Sequence, residues 1–209
     1  MNLLGVFYSP KNTVKNAIEH PSIKLAVFLI LLPLIIAAIG SYLFGFQVAI
    51  DSIIIKFIAE IILWLITALV LLIIIYLFGM KQIRTKFSGI ITALSLVKLI
   101  LSLFLLIAIL MLPLSISSEI IHSFAEFEEG EIGTNELSAK ISEELNNNPN
   151  AFNPVIFMLF ALIGLILFLL TLYIYYCIIS VSSGFSMGKS IIVWIAFIII
   201  LGAITPFFT

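Results

Sequence analysis

Residues 53–78, IIIKFIAEIILWLITALVLLIIIYLF, run on with only Lys56 and Glu60 as charges. A helix rises 1.5 Å per residue, so about 20 apolar residues cross the roughly 30 Å of hydrocarbon in a bilayer. This stretch, bounded near Ser52 and Met80, is longer than that and can tilt. Four more stretches match it, near Lys24–Gly45, Ser88–Leu114, Pro154–Val181 and Lys189–Phe208. Each ends at Gly, Pro, Ser, Asn or a charge. Backbone N–H and C=O groups in lipid must pair within their own segment, so all five are read as helices. The fold class is therefore all-α, a polytopic integral membrane protein with five transmembrane helices. A chain with 63% hydrophobic and 10% charged residues has too much apolar surface for a soluble core. Residues 1–209 are read as one transmembrane domain, with 1–21 an interfacial segment and 115–153 an acidic loop. The opening MNLLGVFYSPK lacks a basic start and a small-residue cleavage site, so the first span is expected to direct insertion. Cys177 is the lone cysteine and excludes an intrachain disulfide.

Charge signs alternate from loop to loop. Lys11, Lys15 and Lys24 precede the first span, Lys81, Arg84 and Lys86 follow the second, and Lys189 precedes the fifth. Because cytoplasmic loops retain Lys and Arg, these loops are expected inside. Asp51, Lys140 and the long loop from Ser117 to Pro154, which holds eight glutamates, fall outside. The N-terminus is then cytoplasmic, the C-terminus outside, and the protein a multi-pass resident of the cell membrane. A net charge of −1 gives no general attraction to nucleic acid.

The stretch SVSSGFSMGKS, 180–190, contains Gly184-Phe185-Ser186-Met187-Gly188, a match to G-x-S-x-G, and ends like a phosphate loop at Gly188-Lys189-Ser190. A phosphate loop requires glycine where Ser183 stands and a strand where a membrane helix is expected. A nucleophile elbow requires a converging histidine, but His122 is expected outside and His20 adjoins Pro21 at a helix boundary. The stretch is read instead as an inner turn: Gly184 and Gly188 let the chain reverse, and Ser186 caps the fifth helix. With no H-E-x-x-H, G-x-G-x-x-G or spaced Cys/His set, neither enzyme, cofactor nor metal is expected.

Ser9-Pro10 is a helix start, serine at the cap and proline at the first position, and Val14, Ala17 and Ile18 share one face until His20-Pro21. A short amphipathic helix is expected along the inner surface, Lys11 and Lys15 toward anionic headgroups and Leu3, Leu4, Val6 and Phe7 dipping into the interface. The run FYSPKNTVKNAIEHPSIKLAVFLILLPLII, with Pro10 and Pro21, resembles the opening of the membrane domain of the Yip family of Rab-interacting proteins and their prokaryotic relatives. The Phe78-Gly79 exit of the second span and the Ser186-x-x-Lys189 turn extend the resemblance, as do five spans with the N-terminus inside. It implies roles in trafficking, protein binding or membrane shaping. The N-terminal segment is too short for the extended cytosolic domain of the eukaryotic members, so a prokaryotic-type relative is implied.

Charges inside the spans are the other candidates for function. Lys56 and Glu60 lie one turn apart and can pair, with Trp64 and Thr67 continuing their face. On the third span Ser88, Thr92, Ser95, Lys98 and Ser102 form a polar stripe, and Lys98 falls at the depth of Glu60 when both are counted by helix rise. A charge in mid-membrane costs at least about 2.5 kcal/mol, so Glu60 and Lys98 should face each other or water. The layer of Lys56, Glu60, Lys98, Ser95 and Ser102 is read either as a cation or proton pathway or as a charge pair and hydroxyl ladder joining helices. In the acidic loop Glu119, His122, Glu126 and Glu129 recur at helical spacing. They fit a divalent-ion site or a solvated amphipathic helix that turns Ile120, Ile121, Phe124 and Phe127 toward the membrane. Asn146 to Asn150 reads as a breaker, and Tyr173, Tyr175 and Tyr176 as an interfacial belt.

The expected function is non-enzymatic: a Yip-like membrane protein that organises membrane or binds protein partners. The alternative is a transporter or channel for a small solute, cation or proton, using the Glu60/Lys98 layer. Expected partners are the lipid bilayer, membrane or cytoplasmic proteins and, as one option, a second copy of the chain.

Overall fold

A computed structural model describes residues 2–44, 50–78, 87–128 and 130–204. The loop carrying Lys81, Arg84 and Lys86, the glycine of the Phe78-Gly79 exit, Glu129 and the last five residues lie outside the described residues. Among the described residues the structure is helical, with one isolated β-bridge and no strand. The spans are α3 (Ile23–Leu43), α4 (Ile50–Leu77), α5 (Phe87–Ser115), α8 (Pro154–Ser183) and α9 (Met187–Ile204). The first four are long and apolar enough to cross a bilayer; α9, the fifth span, is shorter. It starts two residues before the expected Lys189.

The centre of the bundle is α5, which packs against α3, α4 and α8, while α9 closes on α4 and α8. Small residues allow this closeness. A Cβ on Gly40 of α3 would come within 2.8 Å of the Ile109 side chain on α5, as expected where membrane helices associate by backbone approach rather than by the hydrophobic effect. Pro33 and Pro113 sit inside α3 and α5, positions tolerated in spans because neighbouring groups re-satisfy the freed carbonyls.

At one end of the bundle lie α1 (Gly5–Tyr8) and α2 (Pro10–Glu19). Proline opens α2 as expected, but the Ser9 hydroxyl accepts from Asn12 Nδ2 at 2.9 Å instead of capping the backbone. The main correction concerns burial. The α2 face of Val14, Ala17 and Ile18 packs against α5 and α8, and Val6 is fully buried in the protein instead of dipping into lipid. Leu3 packs partly against the same core, while Leu4, Phe7 and Tyr8 remain exposed. The approach is closest at Gly89, where a Cβ would stand 2.7 Å from the Ile18 carbonyl oxygen. The turn out of α2 is fixed by Ser22, whose N–H donates to Thr92 Oγ1 on α5 (3.1 Å) and whose hydroxyl accepts from Leu25 N–H (3.3 Å).

At the opposite end the acidic loop folds into a hairpin of α6 (Ser118–Glu128) and α7 (Thr134–Asn147). Two backbone hydrogen bonds close its base, Ser117 N–H to Ala151 O and Asn153 N–H to Ser115 O, both 2.8 Å, around the bridge between Ile116 and Phe152. Asn153 then caps α8 by accepting from Ile156 N–H at 3.2 Å, with Pro154 at the first helical position. Ile120 is buried in the protein, whereas Phe124 and Phe127 are exposed.

Candidate functional site

The structure joins Lys98 of α5 to Glu60 of α4 in a direct ion pair. Glu60 lies ~15 Å along α4 from its start, and Lys98 ~16 Å along α5 from the opposite end. Counting rise along two antiparallel helices thus brings both to mid-span. The side chains keep 18% exposure at Lys98 and 32% at Glu60, so the pair is sheltered rather than sealed. Lys56 does not join it: the side chain is exposed, and no ion pair involves it among the described residues. Lys56 stands only ~9 Å from the start of α4, close enough for its four-carbon stem to carry the ammonium toward the interface.

The hydroxyl stripe does not form a ladder between helices. Ser95 donates to Thr92 O at 2.7 Å, Ser102 to Lys98 O at 2.7 Å and Thr92 to Ser88 O at 2.8 Å, all within α5. Such back-bonding satisfies a buried hydroxyl without crossing to a neighbour. The cross-helix exception is Thr92, which also accepts from Ser22 and ties the α2–α3 turn to α5. Helical spacing puts these hydroxyls on one face, but periodicity carries no information about which backbone carbonyl each will choose.

Beside the pair is a cavity of about 170 Å³ whose lining includes Trp64, Thr67, Lys98 and Tyr175. A second, of about 370 Å³, runs between α5 and α8 past Leu101, Phe104 and Phe168 and also ends at Lys98 and Tyr175. Tyr175 therefore does not serve as an interfacial belt residue: it turns inward, its ring 5.4 Å from that of Phe197. Tyr173 is exposed and stacks with Tyr176 at 6.1 Å. The larger groove between α3 and α4, about 520 Å³ and lined by residues such as Leu31, Ile35, Ile39 and Phe57, holds none of the candidate charges.

The turn at 184–186 links α8 to α9. Gly184 adopts φ 64°, the left-handed conformation that ends α8, a position suited to glycine. Ser186 precedes α9, and its carbonyl accepts the first helical bond from Ser190 N–H at 2.9 Å. Gly188 is a correction: it lies inside α9 and takes no part in the reversal. Lys189 lies over the Phe185 ring, 4.4 Å from its centre, a cation–π contact that holds the turn closed.

In the cap, Glu126 is the hub. Lys140 Nζ approaches its carboxylate at 2.6 Å and His122 Nε2 at 3.7 Å. The hydrogen bond from Lys140 holds the Glu126 carboxyl below its ordinary range, and the same bond raises Lys140. Glu119 is also lowered, chiefly by its own backbone N–H and then by the Ser118 hydroxyl. The carboxylate expected among divalent-ion ligands is thus engaged by an ammonium, and no group of metal-binding side chains gathers among the described residues. The spacing of 14 between Glu126 and Lys140 becomes meaningful only once the hairpin turn is known.

Comparison with curated proteins and with solved structures gives no match. The family model for the Yip1 domain matches residues 4–208, from the first buried helix through the fifth span. The chain belongs to the Yip1 domain family.

Proposed function

We propose that this is a non-enzymatic protein of the cell membrane that organises the bilayer or binds protein partners through the face formed by α1 and α2. The observation that carries this reading is the docking of α2 on α5 and α8, which leaves Leu4, Tyr8, Lys11 and Lys15 facing outward on a rigid base. A buried hydrophobic side with an exposed apolar and basic side suits contact with anionic headgroups or with another protein. The orientation follows from the lysines: the α2 end is cytoplasmic, the acidic cap outside, and the C-terminus outside.

A photocrosslinking side chain at Tyr8 or Lys15, tested in cells, is expected to give the same discrete protein or lipid adduct from both positions. The same probe at Ile199, on the lipid-facing side of α9, is expected to give only diffuse lipid labelling. Identical diffuse labelling at all three positions would refute a recognition face. The two cavities beside Lys98 favour the second reading, a transporter or channel. That reading requires solute or proton flux in reconstituted vesicles that Glu60→Gln abolishes; unchanged flux in the variant would remove it.

A further inference from the structure

The indole N–H of Trp64 is buried and has no hydrogen-bond partner among the described residues. Trp64 as a whole is 8% exposed, and its side chain lines the 170 Å³ cavity shared with Thr67, Lys98 and Tyr175. An unmade hydrogen bond on a buried donor costs about 1–3 kcal/mol. In a span surrounded by hydrocarbon no bulk water relieves it, so the donor calls for an acceptor within the cavity.

The unused polar capacity of the lining specifies that acceptor. Trp64 offers one N–H. Lys98 has three ammonium protons and a single carboxylate partner, Glu60. Thr67 spends its proton on Leu63 O at 2.7 Å, which leaves the lone pairs of its oxygen. The Tyr175 hydroxyl on α8, with no hydrogen bond among the described residues, adds a donor and an acceptor, so the cavity presents donors from three helices and two hydroxyl acceptors around an otherwise apolar wall of Leu63, Leu94 and Val97. A carboxylate ligand would compete with Glu60 for Lys98 and bring a second negative charge into the span. A neutral oxygen that accepts from Trp64 and Lys98 and donates to Thr67 or Tyr175 meets these groups without adding charge. At roughly 30 Å³ per molecule, water fits such a volume several times over.

We propose that the Trp64–Thr67–Lys98 cavity is a binding site for a neutral oxygen ligand held between the indole N–H and the Lys98 ammonium. Two sources supply that chemistry: water, or the hydroxyl or carbonyl of an uncharged amphiphile whose chain occupies the adjoining α5–α8 groove. The groove reaches the same Lys98 and Tyr175 and passes Leu101 and Phe168, both exposed on the lipid side.

The chain contains two tryptophans, and the other, Trp194, donates to Leu172 O at 3.0 Å, so Trp194→Phe leaves Trp64 as the sole indole. In nanodiscs of unbranched phosphatidylcholine, the ¹⁵N-labelled indole N–H of this variant is expected to resonate as a hydrogen-bonded proton. A cross-peak to water identifies water as the ligand. Quenching by a brominated long-chain alcohol, beyond that given by brominated phosphatidylcholine, identifies the amphiphile. Thr67→Val, which keeps the ion pair, and the double change Glu60→Gln with Lys98→Met, which leaves no unpaired charge, are each expected to shift the indole resonance toward the free position. A resonance at the free position in the parent, with neither water contact nor selective quenching, would overturn the site.

Discussion

Among the described residues two lysine–glutamate pairs join different helices, and they differ mainly in what surrounds them. Glu60 and Lys98 meet in mid-span between α4 and α5, whereas Glu126 and Lys140 meet in the cap between α6 and α7. Each brings an ammonium to a carboxylate across two antiparallel helices. In the cap, water and salt can replace either partner, so the pair is one contact among several. Within the span bulk water and salt are remote, and each charge depends chiefly on the other being present. The same two side chains are thus a local ornament in one place and a condition for the fold in the other.

The largest effect expected from this difference is on the span pair. Glu60→Gln or Lys98→Met alone leaves an uncompensated charge and should destabilise the bundle by about 3 kcal/mol or more. The double change should recover part of that loss, because no lone charge remains, and the recovery measures the coupling directly. Thermal unfolding in detergent or nanodiscs reads both. The comparison fails if either single variant unfolds at the wild-type temperature.

A neutral substitution in the same bundle separates charge from packing. A Cβ on Gly89 meets the Ile18 carbonyl at 2.7 Å, and backbone cannot rotate away as a side chain does. Gly89→Ala should therefore lift α2 from α5, at about 1–3 kcal/mol. Protease cleavage near His20 should rise with it, since α2 loses its seat. Stability equal to wild type would mean that α2 rests on the bundle without being held by it.

The span pair is legible in the sequence and the cap pair is not, for a physical reason. Helix rise is constant, so counting from each end of two spans gives Glu60 and Lys98 a common depth from residue numbers alone. Spans and their order follow from the same regularity, while the family resemblance rests on Pro10, Pro21, Phe78-Gly79 and the Ser186-x-x-Lys189 turn. Hydropathy fails where lipid-facing and protein-facing surfaces are equally apolar: it does not tell that Val6, Val14 and Ile18 bury against protein, or that Tyr175 turns inward while Tyr173 does not. Nor does it assign Lys56, which shares a helical face with Glu60 but lies close enough to the membrane edge to leave it. The link between Glu126 and Lys140 depends on a hairpin turn that helical periodicity does not encode, and the unpaired indole of Trp64 depends on the packing of several helices.

The smallest effect belongs to the cap pair, and pH reveals it. Glu126 titrates below its ordinary value of 4.5 in the folded cap, so its contribution is present above 4.5 and is lost as pH falls through the lower folded value. Lys140 titrates above 10.5, so its contribution is intact below 10.5 and is lost as pH rises through the higher folded value. Between those limits both partners keep their charges, and the pair should be weakened by salt. Amide exchange in α6 and α7 is the suitable measurement, because the cap can open while the spans stay folded. At neutral pH Glu126→Gln should speed exchange in the hairpin and leave the unfolding temperature of the bundle unchanged. Below the folded value of Glu126 the variant and wild type should converge, since protonation and substitution remove the same charge. A bundle that melts earlier when Glu126 is replaced would show that the cap braces the spans through Ser115 and Asn153, and the two pairs would then no longer be independent.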